Sequence, residues 1–129
     1  MSTYIDADAL ARWEKGEFDL ISWAAARPDE VLAFPAIVWQ QIVYGVFAFQ
    51  PDRAAKRARS LLIFGHLDVA PFERPHAIRA AELTHELRLN MIGYADTQIA
   101  ATALVDNAEL LTFNVEHFKR VPGLRLAKP

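Results

Sequence analysis

The stretch Tyr4-Ile5-Asp6-Ala7-Asp8-Ala9-Leu10-Ala11-Arg12-Trp13 decides the fold. Two β-compatible apolar residues run into an acidic turn, after which Ala9, Leu10 and Trp13 recur at helical spacing, so the order is strand, turn, helix. Asp6 stands at the C-terminal end of that strand. The same alternation continues along the chain. Asp19 to Ala26 has helical patterning and stops at Arg27-Pro28-Asp29, and Val31-Leu32-Ala33-Phe34 is a buried strand ending at Pro35. Ile37 to Phe49 is apolar at almost every position, which predicts a helix covered on nearly all sides.

Further on, Pro51 to Phe64 is a basic amphipathic helix, Leu67 to Ala70 a strand and Arg74 to Leu89 a longer helix. Gly93 interrupts the chain, and Asp96 opens a helix with Ile99, Ala100, Ala103 and Leu104 on one stripe. Glu109 to Thr112 is a strand, followed by a polar turn at Asn114 and a last apolar piece at Leu124-Arg125-Leu126. Strands alternating with helices imply a mainly parallel sheet covered on both faces, the α/β class.

A chain of 129 residues is one domain's worth, and no linker-like or repetitive stretch divides it, so residues 1–129 form a single domain. With 53 % hydrophobic residues and only 5 Gly and 7 Pro, disorder is excluded. Zero cysteines exclude disulfides, thiolate metal sites and thiol catalysis. No basic-then-apolar leader and no uncharged run of about 20 residues is present, which predicts a cytoplasmic protein with no membrane partner. A net charge of −2 gives no wholesale attraction to nucleic acid, so any such binding is local. Arg53, Lys56, Arg57 and Arg59 are the local candidates. A helix places Arg53, Lys56 and Arg57 on neighbouring surface positions, where phosphate contact competes with a merely solvated face.

In open parallel sheets ligands gather outside the carboxyl ends of the strands. Asp6 ends the first strand, Asn114 follows a late one and Asp96 starts a helix, so the three can face one cleft. Converging hard oxygens suit Mg²⁺ or Mn²⁺, and such an ion makes a bound water nucleophilic. By spacing alone, helix capping by Asp6 and Asp96 explains the same residues equally well.

Four blocks carry more. They are Tyr4 to Asp8, Gln41-Ile42-Val43-Tyr44-Gly45, Ile92 to Leu104 with its Asp96 ahead of Ile-Ala-Ala-Thr-Ala-Leu, and Leu111-Thr112-Phe113-Asn114 running through Phe118 to Val121-Pro122-Gly123-Leu124. In that order they resemble the PIN-domain toxins of the VapC type over essentially the whole chain. The resemblance implies a three-layer α/β/α sandwich and a Mg²⁺- or Mn²⁺-dependent endoribonuclease toxin. It also implies a VapB-like antitoxin that seats a segment in the toxin's groove and supplies DNA binding, so that DNA is met only indirectly, and a homodimer. The RNA, a tRNA among the candidates, is not legible.

Position by position, the resemblance makes Asp6 and Asp96 metal-binding acids. Thr112 matches the Ser/Thr ahead of the last site position, and Asn114 stands at that position, where the family has Asp or Asn. Gln41 departs from the pattern, because the family has Glu there. The change keeps the shape and deletes a negative charge, leaving −2 from Asp6 and Asp96, enough for one divalent ion; Asp8 can compensate in part. Gln41 is therefore compatible with a weaker natural site, with an engineered inactivation, or with an inactive protein- or RNA-binding module.

The remaining candidates have plainer readings. His66, His76, His85 and His117 share no ligand spacing and are read as ordinary surface or half-buried residues. Glu82 and Glu86, one helical turn apart, can project from one face towards the cleft, a reading that competes with plain solvated helix surface. Three Trp and eight Phe are too many for one small core, so some reach the surface and mark association sites.

Overall fold

The computed structural model describes residues 1–129. Four parallel strands form one sheet: β1 (Ser2–Ile5), β2 (Val31–Pro35), β3 (Asp68–Ala70) and β4 (Glu109–Leu111), in the spatial order β3-β2-β1-β4. Seven helices connect and cover them: α1 (Ala7–Glu14), α2 (Leu20–Ala25), α3 (Ala36–Tyr44), α4 (Pro51–Phe64), α5 (Arg74–Glu86), α6 (Tyr94–Val105) and α7 (Val115–Phe118). Helices lie on both sides of the sheet, which makes the molecule an α/β/α sandwich.

The strand order contains a reversal. From β1 the chain winds through β2 to β3 on one side, then returns to place β4 on the other side of β1. The crevice between the carboxyl ends of β1 and β4 is therefore the topological switch point, where such sheets bind ligands. Register fixes what meets there. Ile5 pairs with Leu111, and the Asp6 N–H donates to the Leu111 carbonyl at 2.9 Å, so Asp6 and Thr112 leave the sheet side by side.

The core follows from the apolar strand residues. Ile5, Phe34, Leu110 and Leu111 are fully buried, together with Leu10, Leu20, Val38, Ile42, Leu83, Ile99 and Phe118 from the covering helices. Helix α6 is the innermost, with Ile99 to Ala103 buried without interruption, and its alanines let α5 pack closely against it. No buried side-chain nitrogen or oxygen lacks a partner.

Several expectations are corrected. Strand β4 ends at Leu111, and α5 ends at Glu86 in a run of turns. The apolar segment from Ile37 does not form one covered helix. Helix α3 stops at Tyr44 and gives way to a 3₁₀ turn, Gly45–Phe47, and only Val38 and Ile42 of α3 are buried. Tyr44, Phe47 and Phe49 are 75, 74 and 101 % exposed, because the chain turns away to start α4 before anything can cover them. Leu126 pairs with Leu110 through an isolated bridge, which ties the C-terminal piece to β4.

Candidate functional site

The acidic notch is built on the ends of β1 and β4 and the first turns of α1, α6 and α7. Asp6 caps α1: its backbone is extended and its Oδ1 accepts from the Ala7 N–H at 2.8 Å. Its Oδ2 accepts from the Thr112 hydroxyl, also at 2.8 Å. The capping role and the site role are thus held by the same side chain, and the two sequence readings of Asp6 are not rivals. Helix α6 behaves otherwise. Gly93, at φ 100°, is its cap, which leaves Asp96 in the first turn with its carboxylate unspent on capping.

Thr112 links the parts. Its oxygen receives the Asn114 N–H at 3.0 Å, and the Asn114 side-chain amide donates to Asp96 Oδ2 at 3.2 Å. One unbroken hydrogen-bonded chain therefore runs Asp6, Thr112, Asn114, Asp96. Asp8, two residues on in the first turn of α1, accepts from the Phe113 N–H at 3.1 Å and lies 3.2 Å from the Thr112 hydroxyl. Because its hydroxyl proton is committed to carboxylates, Thr112 positions Asp6 rather than reaching outward to a phosphate.

The electrostatics are those of crowded, buried carboxylates. Asp6 is 6 % exposed, and burial, joined by the charges of Asp8 and Asp96, pushes its pKa up to about 7 despite the hydrogen bonds from Thr112 and Ala7. Asp8 is raised as well, mainly by burial. That Asp96 acts on Asp6 at all means the two acids, 90 residues apart in sequence, share one field. A buried carboxyl held near neutrality by its neighbours is a frequent mark of a functional site.

His117 was missed by reading motifs. Its Nδ1 lies 2.8 Å from Asp96 Oδ2 and 2.9 Å from the Asn114 side-chain nitrogen, so it belongs to the same cluster. A neutral ring accepts from Asn114 at Nδ1, whereas a protonated ring donates to Asp96 there. The available signal was the Asn114-x-x-His117 spacing, one helical turn apart at the start of a helix. His76 also departs from a surface reading. It is buried, its Nδ1 accepts from the Glu73 N–H at 2.9 Å, and its Nε2 faces Asp106 at 2.8 Å, while the Tyr4 hydroxyl donates to the same carboxylate at 2.5 Å. That network pins α5 and α6 to β1 and lies outside the notch. His66 and His85 are exposed, as are Glu82 and Glu86, both of which lie near Arg79.

Gln41 is not drawn into the chain of hydrogen bonds. It is exposed on α3, and only its main-chain carbonyl is engaged, by Arg57. Arg57 itself turns inward, correcting its expected place on the basic surface. Its guanidinium forks onto Glu14 at 2.9 and 3.1 Å and caps the Ile42 carbonyl at 3.1 Å. Gly45 makes room for it, since a Cβ there would occupy the guanidinium's space.

No three carboxylate or imidazole groups converge to enclose a cation. The donors present are two carboxylates, Asp6 and Asp96, and the Asn114 side-chain carbonyl, all hard oxygens. That set suits a divalent ion that keeps several of its waters, and the mutual repulsion of Asp6, Asp8 and Asp96 is what such an ion offsets.

A parallel α/β/α sandwich with a buried acid after its first strand, and a second acid near it on a later helix, places an acidic ligand-binding notch at the sheet's switch point. Residues 3–124 match the family model of the PIN domain, and the chain belongs to that family. It is 31 % identical to ribonuclease VapC10 of Mycobacterium tuberculosis over 124 residues, covering 94 % of this chain and 89 % of the relative. It is 29 % identical to ribonuclease VapC2 of Rickettsia felis over 100 residues, 76 % of this chain and 74 % of the relative. Among solved structures, VapBC2 of R. felis bound to a promoter DNA fragment superposes with a TM-score of 0.82 at 23 % identity, covering 98 % of both chains. VapBC-1 of nontypeable Haemophilus influenzae gives 0.83 at 22 %, covering 99 % of this chain and 98 % of the other.

Proposed function

We propose that this chain is a metal-dependent endoribonuclease toxin of a toxin–antitoxin pair, acting through the notch between β1 and β4. The observation that carries the reading is the hydrogen-bonded chain from Asp6 through Thr112 and Asn114 to Asp96, set at the switch point of a PIN fold. Asp6 and Asp96 would hold Mg²⁺ or Mn²⁺. When bound, that ion supplies an acidified water and offsets charge on the phosphate.

The protein's own groups do the positioning. Thr112 donates to Asp6 and fixes its carboxylate, and the Phe113 N–H steadies Asp8. Asn114 and His117 bracket Asp96 from one side, so its oxygens are oriented before substrate arrives. The Asn114 side-chain carbonyl, not used as an acceptor within the cluster, would be available to accept from a water or a phosphate-bound hydroxyl. A VapB-like antitoxin is the regulatory partner this reading calls for, since the structurally similar chains include VapBC complexes. A homodimer and indirect DNA contact through the antitoxin complete it.

One observation favours a second reading. Gln41 lacks the charge of the family's Glu and is absent from the hydrogen-bonded chain, as in a PIN-fold module that binds without cutting. The two separate in one assay. Asp96→Ala is expected to abolish RNA cleavage with Mg²⁺ while leaving the fold intact by circular dichroism, and Gln41→Glu to raise EDTA-sensitive cleavage at least tenfold. Cleavage that survives Asp96→Ala refutes the site, and absence of cleavage in both the parent and Gln41→Glu favours the binding module.

A further inference from the structure

Outside the notch, the largest cleft of the molecule lies between α1, the 3₁₀ turn and α4. It encloses about 480 Å³ and is lined by Lys15, Arg53, Lys56 and Arg57 beside Ala11, Glu14, Gly45 and Ala48. A second cleft of about 270 Å³ continues it past Lys56 and Glu14 to Trp13 and Arg59. Glu14 is consumed internally by Arg57 and Ser60. Lys15, Arg53, Lys56 and Arg59 have no ion-pair partner. Four cations outside any close ion pair, Lys56 sharing the field of Glu14, thus line one furrow on a chain whose net charge is −2.

We infer that this furrow is a binding track for the phosphate backbone of a single RNA strand whose scissile bond lies in the Asp6–Asp96 notch. The inference rests on the nuclease reading above and assigns the residues that would grip the substrate away from the cutting point. Helix α1 connects the two places. Asp8 lies in its first turn and Lys15 at its C-cap, seven residues on, which at 1.5 Å per residue is about 10 Å, or one to two nucleotides along a strand. The lining favours a nucleic acid over an acidic peptide. Its only hydrophobic members are the alanines Ala11 and Ala48 and, in the second cleft, a Trp13 ring that packs edge-to-face on Phe64, whereas its cations form the run that a chain of phosphates requires. Arg57 is a structural member, spent on Glu14 and the α3 carbonyls, so the track depends on the other four.

The test measures affinity for an unstructured 20-nucleotide RNA against KCl concentration, in the full chain with EDTA present so that nothing is cut. The combined variant K15A/K56A/R59A is expected to weaken binding at least tenfold at low salt. The slope of log K against log [KCl] should become shallower by about 2, from three lost phosphate contacts at about 0.7 each. An unchanged slope and affinity overturn the track while leaving the notch untouched. If the parent binds no RNA at all, both the track and the nuclease reading are lost. If the variant keeps RNA but loses a poly-glutamate peptide that the parent binds, the furrow is a protein site and the RNA assignment is overturned. A thermal melt of the variant within a few degrees of the parent separates lost contacts from lost fold.

Discussion

Asp6 shows how much one position can carry. It follows a strand, caps a helix and accepts from Thr112, and its burial, with Asp8 and Asp96 nearby, raises its pKa to about 7. Its folded pKa of about 7 lies above the unfolded value of 3.8, so between those limits the folded chain holds a proton that the unfolded chain has lost. Stability from this group is therefore complete below about pH 4 and falls as pH rises through 7, with a ceiling of roughly 4 kcal/mol. Urea unfolding of the metal-free protein at pH 5 and pH 8 should show the loss, and Asp6→Asn should flatten most of it. An equal slope in that variant contradicts the burial assigned to Asp6. Element patterns put Asp6, Asp96 and Asn114 near the strand ends but left capping as good an explanation, and Thr112 entered only through the family resemblance; the structure joins the four in one hydrogen-bonded chain. His117 was not legible, because a histidine's role here depends on α7 folding back onto α6, a contact that no local pattern encodes.

At the scale of elements, alternation of apolar strands and helices was enough to give the order and the parallel sheet. What it could not give was where α3 ends. The run from Ile37 to Phe49 has uniform hydropathy, and its break at Gly45 is set by a distant residue, Arg57, whose guanidinium fills the space against the turn and caps the α3 carbonyls. The Arg57–Glu14 fork, with Ser60 2.5 Å from the same carboxylate, ties α4 to α1 and to the end of α3. Burial alone would raise the Glu14 carboxyl, yet the hydrogen bonds from Arg57 and Ser60 hold it below its usual range. Arg57→Ala removes one partner of a largely buried pair and is expected to cost about 3 kcal/mol in denaturant unfolding. Arg53→Ala, an exposed neighbour on the same helix, should change stability by less than about 0.5 kcal/mol. Equal effects would mean that Arg57 is only a surface charge.

For the molecule as a whole, the sequence contained more large apolar residues than one small core accommodates, and the fold leaves Tyr44, Phe47 and Phe49 in solvent around the 3₁₀ turn. Exposed aromatics gathered in one segment are association surface. The homodimer proposed above is expected to use them. Phe47→Ser/Phe49→Ser should shift the mass measured by light scattering from dimer toward monomer without lowering the melting temperature, and an unchanged mass places the association elsewhere. The proposed nuclease requires that Asp6, just after β1, and Asp96, in the first turn of α6, act together on one divalent cation. Calorimetric titration of the metal-free chain with Mn²⁺ tests it directly. One ion per chain, lost in Asp6→Asn and in Asp96→Asn alike, is the predicted result, and binding that either variant leaves unchanged would contradict it.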